Sequence, residues 1–128
     1  MKYYFSKTVE LDFDEAIVKV TEELKKQGFG VLTQIDVTKT LKDKIDVDFR
    51  RYRILGACNP NFAHKALLTE DKIGLMMPCN VVVQETSAGA IEVAAVDPAA
   101  SMQTVDSPDL AAVAGEVRDK LALVIENL

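Results

Sequence analysis

The sequence of 128 residues contains no tryptophan, two cysteines and a single histidine. Two cysteines and one histidine are too few to supply the four ligands of a closed structural zinc site. The chain also lacks a glycine-rich phosphate loop, a dinucleotide fingerprint and paired helical histidines, so no such motif assigns a reaction. No apolar run approaches the roughly 18 to 20 residues that cross a membrane. The sequence therefore predicts no metal site and no membrane span, and it identifies no cofactor.

The composition is typical of a globular protein, with 48% hydrophobic and 27% charged residues. A chain of this length predicts one domain over residues 1–128. The net charge of −5 disfavours nonspecific attraction to nucleic acid or to an anionic membrane. Met1 leads directly into a charged stretch rather than a signal peptide, which predicts a cytoplasmic protein. In that compartment both cysteines are expected to be reduced thiols.

Hydrophobic periodicity predicts five strands and four helices. The final helix is expected to begin at Ser107 and to keep an apolar stripe as far as Leu128. The strands near 77–85 and 90–96 predict a hairpin, and the polar segment from Asp97 to Asp106 predicts a surface loop. The order is a strand at 2–10, a helix at 12–28, a strand at 29–37, a short helix at 38–46, a strand at 52–58, a short helix at 60–68, strands at 77–85 and 90–96, and the long helix at 107–128.

These elements predict an α+β fold, in which one helix-covered sheet of about five strands is at least partly antiparallel and carries a long C-terminal helix. The apolar stripe of that helix extends further than a five-stranded sheet of ordinary strand length needs. Because cyclic dimers are the commonest closed assemblies, the sequence predicts a homodimer. The long helix or a sheet edge is the expected interface.

Two Cys-Asn steps interrupt the apolar runs of the third and fourth strands. Cys58 ends the third strand, and Asn59 is well placed as a helix N-cap because Pro60 follows it. Cys79 and Asn80 come directly after a proline, which is expected at a strand start, a bulge or an edge. Gly56 predicts a bulge or a close backbone approach in the third strand. If the two strands are neighbours, both steps lie at the same end of the sheet.

We therefore expect a small-molecule cavity lined by Cys58, Asn59, Cys79 and Asn80, with the loop from Asp97 to Met102 near its rim. The two reduced thiols are predicted to face this cavity. His64 falls off the apolar face of its short helix and is predicted to lie outside.

Three functions remain open from the sequence. The first is a ligand-binding or sensing domain that uses this cavity. The second is a thiol-based redox protein or cysteine-dependent enzyme, because a helix N-terminus favours the thiolate of Cys58. The third is a structural homo-oligomer without a small-molecule site, in which Cys58 and Cys79 are simply small buried packing residues.

Three segments carry a family resemblance: YRILGACNP at 52–60, GLMMPCNVVV at 74–83 and VAAVDP at 93–98. They resemble a bacterial and archaeal family, the domain of unknown function 302 family. The resemblance extends over essentially the whole chain and implies a TATA-binding-protein-like arrangement, in which a long helix backs a curved sheet. It implies no established activity, and a shared fold name gives no reason to infer DNA binding.

Overall fold

The computed structural model describes residues 2–128 and contains five strands and five α-helices. A short 3-10 helix at Ile73–Met76 precedes the fourth strand. The predicted order of the main elements is confirmed. In chain order they are β1 at Tyr4–Val9, α1 at Phe13–Lys26, β2 at Gly30–Asp36, α2 at Val37–Ile45, β3 at Tyr52–Cys58, α3 at Pro60–Thr69, β4 at Cys79–Glu85, β5 at Ile91–Val96, α4 at Pro98–Ser101 and α5 at Pro108–Glu126.

The strands form one open sheet in the order β1-β5-β4-β3-β2, and every neighbouring pair is antiparallel. The α+β class, the five-stranded sheet and the long C-terminal helix are therefore confirmed. β3 and β4 are neighbours, with Ala57 opposite Cys79, and β2 pairs with β3 so that Gly30 lies opposite Cys58. The end of β3 and the starts of β2 and β4 consequently lie together at one end of the sheet.

The first helix begins and ends as its sequence predicts. Asp12 accepts a hydrogen bond from the Glu15 backbone N–H at 2.8 Å, which caps the N-terminus. Ala16, Val20 and Leu24 recur at helical spacing and are buried. After α1, Gly28 adopts a φ of 85°, a conformation that glycine tolerates far better than other residues. This turn brings the chain directly into β2.

One face of the sheet carries the main core. Alternate residues of β3, β4 and β5 point toward α1 and α5, which pack against each other and against the sheet. The fully buried sheet residues on this face are Leu55, Ala57, Val81, Val83, Val93 and Ala95. Each of these apolar side chains stabilises the fold in proportion to the surface that it removes from water, at about 25 cal/mol per Å².

The C-terminal helix uses its apolar stripe inside the chain. Its buried residues follow helical spacing from Leu110 to Ile125, and Leu128 packs against the same core. The part of the stripe that the sheet does not cover packs against α3 and α4, so the chain itself covers the whole stripe. The helix thus loses the feature that suggested it as a dimer interface.

Two other segments differ from their predictions. The fourth strand, predicted from residue 77, starts only at Cys79, after the 3-10 helix and the cis Met77–Pro78 peptide bond. The expected surface loop after Asp97 instead begins with α4, in which Pro98 is buried and after which Met102 is buried. The segment consists mostly of small residues, so its hydrophobic pattern does not indicate that it packs inward.

Within residues 2–128, no helix combines the length and the hydrophobicity that a membrane crossing requires.

Candidate functional site

A cavity of about 330 Å³ lies at the end of the sheet where β3 finishes and where β2 and β4 begin. Helices α3 and α5 form its helical walls, and the α4 segment completes it. Its lining residues are Phe29, Leu32, Thr33, Ala57, Cys58, Asn59, Phe62, Ala63, Ala66, Met77, Pro78, Cys79, Pro98, Met102, Val113 and Val117.

Asn59 holds the entrance of α3 in place. Its Oδ1 accepts a long hydrogen bond of 3.5 Å from the Phe62 N–H, as expected for a helix N-cap. Its Nδ2 donates to the carbonyl oxygen of Gln27 at 3.4 Å, which ties α3 to the turn after α1. A Cβ atom on Gly28 would lie only 2.9 Å from this Nδ2, so the turn needs glycine for space as well as for its backbone angles. The amide of Asn59 is therefore already engaged in the fold.

Cys58 and Cys79 both line the cavity and are both free thiols. Cys79 lies on the helix-covered face of the sheet, opposite Ala57, and packs against the main core. Burial, with a smaller effect from neighbouring Cys58, raises the pKa of the Cys79 thiol to about 11. Cys79 is therefore a neutral thiol at physiological pH and a poor nucleophile.

Gly56 permits a close approach next to the cavity rather than a bulge in its own strand. A Cβ atom there would lie 2.6 Å from Cγ2 of Thr33 and 2.8 Å from Cγ of Pro78, two cavity-lining residues. The bulge lies across the ladder in β2, between Val31 and Thr33. It gives Leu32 an irregular position at the cavity rim, where its side chain is 71% exposed.

Asn80 does not line the cavity. It lies opposite Gly56 on the other face of the sheet and is exposed, because successive strand residues alternate between faces. The expectation that both members of the second Cys-Asn step share one cavity is corrected here. His64 is exposed on α3 and is also outside the cavity lining.

Asp97 lies behind the cavity wall rather than in it. One carboxylate oxygen accepts a hydrogen bond from the Ala99 N–H at 3.0 Å, and the other lies 3.2 Å from Nε of Arg118 on α5. Its own N–H donates to the carbonyl oxygen of Tyr3 at 2.7 Å. These bonds orient α4, and α4 in turn brings Pro98 and Met102 to the cavity. Asp97 is thus a positioning residue.

The sequence profile of the family described as "Domain of unknown function DUF302" matches residues 5–128. The chain belongs to the DUF302 family. A crystal structure of an uncharacterised conserved DUF302 protein from Bacillus stearothermophilus is 29% identical and superposes with a TM-score of 0.91 over 98% of both chains. The family resemblance expected from the three segments is thereby confirmed. A comparison with curated protein sequences finds no match.

Several cavity residues of this DUF302 chain were not identified from the sequence as site residues. Phe29, Phe62, Ala66, Val113 and Val117 lie on the apolar faces of their elements, where sequence patterning predicts core packing. Hydrophobic periodicity shows that a side chain points inward, but it does not reveal whether a neighbour or a void lies opposite. The thiol and amide groups at the strand ends were the only signals that pointed to this end of the sheet.

The chemistry of the cavity is mostly apolar. Among residues 2–128, no charged side chain contributes to its lining. Polar character comes from the two thiols, the Thr33 hydroxyl and the Asn59 amide. Because an ion that enters such a wall loses hydration without gaining a counter-charge, the DUF302 cavity disfavours charged molecules. It favours uncharged, compact and largely apolar ones.

Proposed function

We propose that this DUF302 protein is a cytoplasmic binding or sensing domain for a compact, uncharged and largely apolar small molecule. The observation that carries the proposal is the cavity, in which aromatic and aliphatic side chains surround two thiols. Ligand sites are generally concave and mostly apolar, with a few polar groups that orient the ligand. The combination of Phe62, Met102 and the two cysteines fits that description.

The size of the cavity supports the same proposal. Its volume of about 330 Å³ lies at the lower end of the roughly 300 to 1,000 Å³ common for small-molecule sites. Native cores contain few voids larger than a water molecule, since packing is close to that of organic crystals. This cavity is a cleft that opens to solvent beside Leu32, and burial of apolar ligand surface in it would be favourable.

A thiol-based redox or cysteine-dependent function is the second candidate, and the presence of both thiols in one cavity favours it. In this proposal Cys58 is the reactive group, because it directly precedes the N-cap of α3. Cys79 is the resolving or passive thiol, since burial keeps it protonated. We expect iodoacetamide to alkylate Cys58 faster than Cys79 at neutral pH, as measured by peptide mass spectrometry. Equal or reversed rates would contradict this candidate.

The ligand proposal can be tested with the neutral fluorophore N-phenyl-1-naphthylamine. We expect its emission to rise and saturate with the wild-type chain, because the probe leaves water for an apolar wall. Ala63 lines the cavity from α3 and is only partly buried, so Ala63→Trp should fill the void while α3 keeps its other contacts. This variant is expected to lose the saturable signal.

Leu68→Trp is the matched control, since Leu68 lies on the same helix, is 76% exposed and does not line the cavity. It should bind the probe as the wild-type chain does. The charged analogue 1-anilinonaphthalene-8-sulfonate should bind more weakly, because its sulfonate must be desolvated. Equal probe binding by the Ala63→Trp and Leu68→Trp variants would contradict the proposal.

We also propose that the chain forms a homodimer, as the sequence analysis predicted, and that nucleic acid is not its partner. The net charge of −5 argues against a phosphate-binding surface.

A further inference from the structure

The sheet face opposite α1 and α5 is an open surface whose strand residues are outside the main core. Residues reach this face by alternation with the buried positions of β3, β4 and β5. Within residues 2–128, every side chain assigned to it retains solvent exposure. Its strand residues are Tyr4, Ser6, Thr8, Thr33, Ile35, Tyr52, Ile54, Asn80, Val82, Gln84, Glu92, Ala94 and Val96.

An apolar row crosses the middle of this open face. The cross-strand register places Ile35 opposite Ile54, Ile54 opposite Val82, and Val82 opposite Ala94. An antiparallel sheet with one solvated face normally alternates apolar residues inward and polar residues outward. Four consecutive strands here break that alternation at the same level of the sheet. The row is therefore a contiguous apolar strip rather than a set of scattered side chains.

Charged groups on the open face are few and are arranged in one polar row. Glu92 is the one charged side chain among the strand residues described on this face. Arg50, just before β3, donates from Nε to Oε1 of Gln84 at 3.0 Å, and Nε2 of Gln84 donates to Oε1 of Glu92 at 3.2 Å. Among residues 2–128, neither Arg50 nor Glu92 has an ion-pair partner. Aromatic groups, an arginine and few other charges are typical of interface cores.

We propose that the open face is the interface with a second copy of this chain, with the two sheets packed face to face. The two-fold axis lies between the sheets and is parallel to β4. Such an axis exchanges β3 with β5 and β2 with β1, while it keeps each residue at the same level along the strands. Val82 then meets the partner's Val82, and Ile54 meets the partner's Ala94. The large and small side chains of the apolar row thus complement each other across the axis.

The same symmetry joins the unpaired charges. Glu92 lies on the β5 side of the axis, and Arg50, two residues before Tyr52 on the β3 side, reaches the same row through its bond to Gln84. Rotation places Arg50 opposite the partner's Glu92, and the reciprocal pair forms on the other side. This self-complementarity selects a second copy as the occupant, because one two-fold operation satisfies both the apolar strip and the two charges.

The area of the face fits a dimer of ordinary size. Five strands about 4.8 Å apart and roughly 20 Å long give a flat footprint of about 500 Å². A stable complex buries roughly 800 Å² per partner, so a dimer of ordinary size would use the whole of this face. Aligned packing of two twisted sheets, within about 30° of each other, accommodates this geometry.

Sedimentation equilibrium tests the interface with Val82→Lys. The wild-type chain is expected to sediment at twice its monomer mass at micromolar concentration. Val82 lies on the proposed axis, so the variant brings two like charges together in an apolar strip and should weaken dimerisation at least about a hundredfold. Val18→Lys is the matched control, because Val18 is 57% exposed on α1, away from the open face. It should remain dimeric.

A charge exchange tests the orientation of the two copies. Arg50→Glu and Glu92→Arg should each weaken the dimer by at least about tenfold, since each creates two like-charge contacts. The double variant should restore the dimer, and circular dichroism should show that all variants are folded. A monomeric wild-type chain, a dimeric Val82→Lys variant, or failure of the double variant to recover would overturn the proposal. Thr33 belongs to both the open face and the cavity lining, but Val82, Arg50 and Glu92 do not line the cavity, so none of these outcomes bears on the ligand proposal.

Discussion

Cys79 is a partly buried residue with a titratable thiol, and this combination has a consequence for stability. Burial raises its pKa from the ordinary value of 9.0 to about 11. A folded-state pKa above the unfolded value means that the folded state holds the proton more tightly. The stabilisation is therefore complete below pH 9 and is lost as the pH rises toward 11. The difference between the two values corresponds to about 2 to 3 kcal/mol.

We predict that the free energy of unfolding, measured by urea denaturation, falls between pH 9 and 11 more steeply for the wild-type chain than for Cys79→Ala. The comparison of slopes removes the contribution of tyrosines and lysines that also titrate there. Equal slopes for the two proteins would show that the buried thiol is not the group responsible.

Gly56 is the backbone position with the least room for a side chain. A Cβ atom would approach Thr33 and Pro78 to less than 3 Å, and neither a β-branched residue nor a proline ring moves easily. We predict that Gly56→Ala lowers the free energy of unfolding by about 1 to 3 kcal/mol. Gly115→Ala, in the interior of α5 with no atom within 4 Å of its added Cβ, should instead stabilise by about 0.5 to 1 kcal/mol. Denaturation curves of the two variants provide the measurement, and a neutral Gly56→Ala would contradict the close approach.

The sequence located some site residues and misplaced others for a clear physical reason. The positions of Cys58, Asn59 and Cys79 are predictable, because the end of β3 and the start of β4 lie together at one end of the sheet. Asn80 was misplaced because consecutive strand residues face opposite sides of a sheet, so adjacency along the chain separates their side chains in space. Asp97 was placed in the correct segment, but its carboxylate turns toward Arg118, which only the tertiary structure brings near.

The α4 segment depends on one carboxylate for its conformation. Asp97→Ala removes the N-cap of α4 and the ion pair with Arg118, and we predict a loss of about 1 to 2 kcal/mol in the free energy of unfolding. Asp97→Asn keeps a capping oxygen and should lose roughly half as much. Amide hydrogen exchange at residues 99–102 should accelerate in the alanine variant more than in the asparagine variant. Similar exchange in both would indicate that the cap does not hold this segment.

Helix boundaries and strand boundaries were not equally predictable. Capping residues such as Asp12 and Ser107 give α1 and α5 starts that can be identified from sequence. The run from Ile73 is almost continuously apolar, so its hydrophobic pattern does not distinguish a strand from a tight helical turn. The 3-10 helix therefore could not be predicted from the sequence. The α4 segment was missed because Pro98 and Met102 are isolated among small residues, and their burial depends on a cavity that no local pattern encodes.

In the whole molecule, the predicted α+β class follows from amphipathic elements that must bury one face each. The pairing of β1 with β5 joins residues about ninety positions apart, as in Tyr4 opposite Val96. Hydrophobic periodicity alone does not predict that β1 pairs with β5. It also does not reveal that the chain leaves a cavity at one end of the sheet. The two proposed functions of the molecule use different regions, a cavity at one end of the sheet and a dimer surface on the open face, and they share only Thr33.

The position of the proposed ligand can be measured directly through the methionine methyl groups. Met77 and Met102 line the cavity, whereas Met76 is 38% exposed and lies outside it. The chain labelled with ¹³C-methyl methionine should be titrated with N-phenyl-1-naphthylamine and followed by NMR. We predict saturable shifts of the Met77 and Met102 methyl signals from the ring currents of the probe, with the Met76 signal unchanged. Shifts confined to Met76, or shifts of equal size in all three signals, would contradict a ligand site in this cavity.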